Sequence, residues 1–108
     1  MKNNRLHFAT SVYGYSYVGF LLVLIESIKK TNENSSITIY WQDMDEKIIH
    51  SINSSYSDLQ FINTDIKFEK DPIKRISSKT ILWSRAVNDS PRRNIVLLDC
   101  DILVRTSL

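Results

Sequence analysis

The apolar run Asn94-Ile95-Val96-Leu97-Leu98 leads into Asp99-Cys100-Asp101, and a second apolar stretch, Ile102-Leu103-Val104, follows at once. Carboxylates at the margin of a buried strand are strongly disfavoured unless something neutralises them, and a divalent cation is an economical partner. Strand side chains alternate in direction, so Asp99 and Asp101 share a face while Cys100 points the other way. Two oxygen ligands on one face suit a hard metal, Mg²⁺ or Mn²⁺. The competing reading is structural: the carboxylates cap a following turn or pair with Arg92, Arg93 or Arg105. Cys100 reads as a small buried hydrophobe, with no base beside it to make it a nucleophile.

The elements that must position these residues follow from hydrophobic spacing. Leu6 to Thr10 reads as a first strand, ending in a polar and aromatic loop from Ser11 to Ser16. A helix follows from Tyr17 to Lys30, apolar almost all round in its first half, which predicts deep burial. Lys29 and Lys30 fall in its last turn, where cations complement the helix dipole. Ile37-Thr38-Ile39-Tyr40-Trp41 is β-branched and aromatic, hence a second strand. Asp43 is placed to cap a helix over about 44–54, with Ile48, Ile49 and Ile52 on its inner side. Leu59 to Ile62 makes a third strand. Asp71-Pro72 marks a helix start, with Ser77 or Ser78 as an alternative cap. Ile73, Ile76, Thr80, Trp83 and Val87 recur at helical spacing and predict its buried stripe. Pro91 closes that helix, and Asn94 to Asp99 is the fourth strand.

The order βαβαβαβ predicts an α/β, Rossmann-like fold: a mostly parallel sheet with helices on both faces. Ligands in such sheets sit beyond the carboxyl ends of the strands, where the strand order reverses. With order 3-2-1-4, that point lies between the first and fourth strands. Thr10, Ser11 and Tyr13 then converge with Asp99 and Asp101 on one crevice.

Composition narrows the function classes. A chain of 108 residues fits one small domain or part of a larger one. A formal net charge of +2 is too mild to argue for nucleic acid. One cysteine excludes an intrachain disulfide and fits a reducing compartment, so a cytoplasmic location is expected. The apolar stretch Val18 to Ile25 is too short for a transmembrane segment, and Glu26, Lys29 and Lys30 follow it directly. Glu26-Ser27-Ile28 is a poor cleavage site for a signal peptide. Asn34-Ser35-Ser36, Asn53-Ser54-Ser55 and Asn88-Asp89-Ser90 match the N-glycosylation pattern, but without a secretory signal they reflect an Asn- and Ser-rich composition. Asp43-Met44-Asp45-Glu46 lacks the glycine and the distal glutamate of a calcium loop. His7, within the first strand, and His50, on the second helix, are expected to be structural or exposed.

Three features together resemble the GT-A nucleotide-sugar glycosyltransferases, particularly glycosyltransferase family 8. Phe8-Ala9-Thr10 is followed by an aromatic loop and the helix from Phe20 to Asn32. Lys79 lies ahead of Leu82-Trp83 in the helix before the fourth strand. Val96 to Val104 looks like that family's DxD strand. The resemblance implies a metal-dependent transfer of sugar from a nucleotide-diphospho-sugar, UDP-linked, to an acceptor that the sequence does not identify. By that resemblance Asp99 contacts the ribose or a metal-bound water, and Asp101 ligates Mn²⁺ or Mg²⁺ directly. Ala9 and Thr10 lie beside the base, Tyr13 stacks on it, Lys79 is near the diphosphate or sugar, and Asp43 reaches the nucleoside. The competing roles are a solvated lysine at 79, ordinary packing at 10 and 13, and a helix cap at 43.

Members of the family are much longer, and their second half supplies the acceptor site and a further metal ligand, often a histidine. Residues 1–108 are therefore expected to form the N-terminal, nucleotide-sugar-binding half of the domain, truncated after the DxD motif, with the catalytic residues unassigned. The open edge of the fourth strand predicts self-association. A second reading keeps the fold without turnover, as a nucleotide-sugar-binding remnant or split subunit. A third takes Asp99 as the nucleophile of a haloacid-dehalogenase-like phosphatase. Leu103, where that motif carries Thr or Val, and the late position of the aspartates both count against it.

Overall fold

The computed structural model describes residues 6–14, 17–64, 71–89 and 94–99, with the side chains of 72–79 excepted. The elements alternate along the chain: β1 (Leu6–Tyr13), α1 (Val18–Thr31), β2 (Ser36–Gln42), α2 (Glu46–Ser55), β3 (Leu59–Asn63), α3 (Pro72–Asp89) and β4 (Asn94–Leu97). The strands form one parallel sheet in the order β3-β2-β1-β4. This is the expected Rossmann-like arrangement.

Strand alternation sorts the core into two layers. Phe8 and Val12 of β1, with Ile37, Ile39 and Trp41 of β2, turn to one face and pack on Leu21, Leu24, Ile25 and Ile28 of α1 and on Ile49 and Ile52 of α2. Ala9 and Tyr40 turn to the other face and meet Leu82 and Ala86 of α3. Helices thus cover both faces, as a parallel sheet requires. His7 is buried on the α3 side. Its two ring nitrogens lie 2.6 Å from Ser36 Oγ and 2.9 Å from Thr38 Oγ1. Hydrogen bonding is what makes a buried imidazole tolerable there.

Four expectations need correction. β1 runs on to Tyr13 instead of ending at Thr10, because the parallel ladder with β2 continues through Tyr13↔Gln42. Ser11 and Tyr13 are therefore strand residues. α2 starts at Glu46, and its cap is Asp45, not Asp43: the Lys47 N–H donates to Asp45 Oδ1 at 2.8 Å. Among the described side chains of α3, Leu82 and Ala86 are buried, while Thr80 and Val87 are exposed and Trp83 is half-buried; Ile73 and Ile76 of the expected stripe lie outside them. A small residue at 86 lets this side of the helix approach the sheet closely over Ala9 and Tyr40. Finally, α1 is not buried all round, since Phe20 is 51% and Val23 53% exposed.

Candidate functional site

β1 and β4 are neighbours in space, and they are separated in sequence by two complete strand–helix units and α3. Their carboxyl ends define the point where strand order reverses. β4 pairs with β1 from Leu6↔Asn94 to Ala9↔Leu97, and the Leu98 N–H extends the ladder by donating to the Ala9 carbonyl at 3.0 Å. Carrying that register two residues further sets Asp99 level with Ser11. By alternation Ala9, Ser11 and Tyr13 share the α3 side of the sheet with Leu97, and Asp99 follows two residues beyond the end of β4. The strand order therefore brings Asp99 to the end of β1 that the sequence singled out.

The residues around this point differ in what they can offer a ligand. Asp99 is exposed. Ala9 is buried against α3. Tyr13 is half-buried, and its burial raises the phenol above the ordinary tyrosine value, so it stays neutral through the physiological range. Gly14 follows with φ +76° and donates its N–H to the Gln42 carbonyl at 3.1 Å, which turns the chain out of the sheet. Thr10 lies between Phe8 and Val12 and so points to the α1 side. Its hydroxyl is buried and has no hydrogen-bond partner among the described residues.

Asp43 follows the carboxyl end of β2, exposed, with φ +60°. A non-glycine residue in the left-handed region is uncommon, although aspartate tolerates it better than most. With Asp45 performing the capping, Asp43 is not needed to start α2. Lys79 lies in α3, three residues before Leu82, and its side chain is outside the described residues, as is Asp101 altogether.

For a metal, the chemistry of Asp99 fits: an exposed carboxylate at the end of a strand is a hard oxygen ligand. Among the described residues no group of three or more His, Cys, Asp or Glu side chains gathers to hold an ion. Asp101, the second expected ligand, lies outside that set. No helix among the described residues is long and apolar enough to cross a membrane.

A parallel α/β sheet of order 3-2-1-4 with a carboxylate at its switch point is the architecture of a Rossmann-like nucleotide-binding fold. Among the similar solved structures is that of the glycosyltransferase TarS from S. aureus, residues 1–349, with a TM-score of 0.56 and 10% sequence identity. The match covers 90% of this chain and 27% of TarS, so the chain spans about a quarter of that structure. No family model matches the sequence, and no curated protein matches it either. The likeness therefore establishes the fold, and membership of glycosyltransferase family 8 is not established.

Proposed function

We propose that residues 1–108 are the donor-binding part of a metal-dependent glycosyltransferase that takes a nucleotide-diphospho-sugar, UDP-linked. The observation that supports this most is the coincidence of a fold like that of a solved glycosyltransferase with the sequence pair Asp99 and Asp101 directly after β4, the strand that pairs with β1. Sugar transfer leaves negative charge on the departing diphosphate, and a bound Mn²⁺ or Mg²⁺ would stabilise it. In this reading Asp101 ligates the metal, and Asp99 holds the ribose or a metal-bound water. Tyr13 offers a neutral aromatic ring to the base, while Ala9 and Thr10, whose side chains are buried on opposite faces of the sheet, would approach it only through the β1 backbone. Asp43 reaches the nucleoside, and Lys79 supplies a point charge to the diphosphate.

Asp101→Asn tests the assignment. It is expected to weaken Mn²⁺-dependent UDP binding by about a hundredfold, the scale of removing one partner of a desolvated charge pair, while the circular dichroism spectrum stays that of the parent. A variant that binds UDP and Mn²⁺ as well as the parent would place the site elsewhere.

A further inference from the structure

The chain has two histidines, and they differ in setting: His50 is exposed on α2, whereas His7 is only 3% exposed. His7 stands at the amino end of β1, opposite Ser36 in the ladder, and at the other end of the strands from the candidate donor site. Its ring reaches across to β2 and lies between two hydroxyls on one face of that strand. Ser36 Oγ is 2.6 Å from Nδ1, and Thr38 Oγ1 is 2.9 Å from Nε2. One side chain of β1 is thus clamped to two of β2.

Burial assigns the hydrogens in this clamp. Thr38 is buried, and its hydroxyl has no other hydrogen-bond partner among the described residues. A buried hydroxyl must place its hydrogen on an acceptor, and a ring nitrogen accepts only when it carries no proton. The Thr38 hydroxyl therefore donates to Nε2, and the ring hydrogen sits on Nδ1, where it donates to Ser36 Oγ. A neutral ring satisfies both contacts. A protonated ring turns Nε2 into a donor, strands the Thr38 hydrogen and holds a positive charge away from water.

The charged and titratable groups of the surrounding elements do not offset that charge. β3 and β4 contribute none within their strands, and Tyr13 of β1 is at the far end of its strand. On the α3 face, Tyr40 of β2 donates to Asp89, and Asp89 also pairs with Arg85. The other ionisable residues within α3, Lys74, Arg75 and Lys79, belong to its first half, toward the carboxyl ends of the strands. The sequence leading into β1 and into β4 adds Lys2, Arg5, Arg92 and Arg93 and no carboxylate.

We propose that His7 is an acid-sensitive latch: neutral, with its hydrogen on Nδ1, it ties β1 to β2, and its protonation in mild acid weakens that junction and the fold with it. In the unfolded chain the imidazole takes up a proton near its ordinary value of about 6.5, whereas in the folded chain burial defers this to lower pH. The contribution of His7 is therefore complete above about pH 6.5. It falls as the pH drops below that value, by up to about tenfold in the unfolding constant for each pH unit, until the folded ring is protonated too. This proposal is independent of the glycosyltransferase reading.

The test uses the 108-residue chain with His50→Gln, which leaves His7 as its sole histidine. Nitrogen NMR of the ring is recorded beside urea denaturation between about pH 5 and pH 7. The expected ring is neutral with its hydrogen on Nδ1, and is still neutral at about pH 5.5, one unit below the ordinary value. The unfolding constant should rise by about tenfold per pH unit below 6.5, and adding His7→Gln should abolish that rise. A folded ring that protonates at or above the ordinary value would overturn the proposal, as would one with its hydrogen on Nε2. So would an acid-dependent rise that persists in a folded His7→Gln chain. Should His7→Gln fail to fold, the ring titration of the chain that retains His7 decides alone.

Discussion

Thr10 and Tyr40 lie on adjacent strands, both fully buried, on opposite faces of the sheet. Their hydroxyls meet different fates. The Tyr40 hydroxyl donates to Asp89 Oδ2 at 2.8 Å, and the Arg85 guanidinium lies over its ring, 5.7 Å from the centroid. Burial first, and then the hydrogen bond and the charge of Asp89, push the Tyr40 phenol well above the ordinary tyrosine value. The folded state therefore keeps a proton that the unfolded chain releases near pH 10, so this contribution is complete below that pH and falls away above it. Tyr40→Phe is expected to cost about 1 kcal/mol at neutral pH and to flatten the alkaline decline, as measured by urea denaturation across the pH range. At Thr10 no described residue compensates the buried hydroxyl. Thr10→Val keeps the shape and removes the unpaired group, and should raise stability by about 1 kcal/mol in the same assay. The sequence shows a threonine at the end of an apolar run. It does not show that the residue's neighbours give its hydroxyl no partner, because that depends on what packs over the α1 side.

At the scale of the elements, Asp43 and Asp45 are two residues apart ahead of the same helix, and either satisfies the capping pattern. What separates them is backbone conformation: Asp45 is extended with its carboxylate on the Lys47 N–H, while Asp43 has a positive φ. Asp45→Ala is expected to lower stability by about 1 kcal/mol in thermal denaturation. Asp43→Gly should leave stability unchanged or raise it slightly, since glycine adopts that conformation without strain. A loss at Asp43→Gly as large as that at Asp45→Ala would mean that Asp43 supports the fold directly. The α3 stripe has the same lesson. Ile73, Ile76, Thr80, Trp83 and Val87 form a periodic set, but Leu82 and Ala86 form another, and among the described side chains it is Leu82 and Ala86 that pack with Ala9 and Tyr40. Periodicity establishes that a helix is present; packing decides which side turns inward.

For the whole molecule, the alternation of strands and helices was enough to predict a parallel sheet with helices on both faces, and the order 3-2-1-4 supposed for it is the one found. The strand order sets β1 and β4 side by side as expected, but Thr10, expected in the crevice, is buried on the α1 side of the sheet. The exposure of Phe20 and Val23 was not legible, because an apolar run in a helix does not show which of its sides meets the sheet. The structure has the sheet of a glycosyltransferase-like fold over about a quarter of the TarS chain, and donor binding at the β1–β4 switch point is the central claim about what it does. The most direct measurement is a calorimetric titration of the 108-residue chain with UDP, once with Mn²⁺ present and once with a chelator. The account predicts saturable binding with Mn²⁺ and its loss in the chelator. The absence of binding under both conditions, by a chain whose circular dichroism shows it folded, would contradict it.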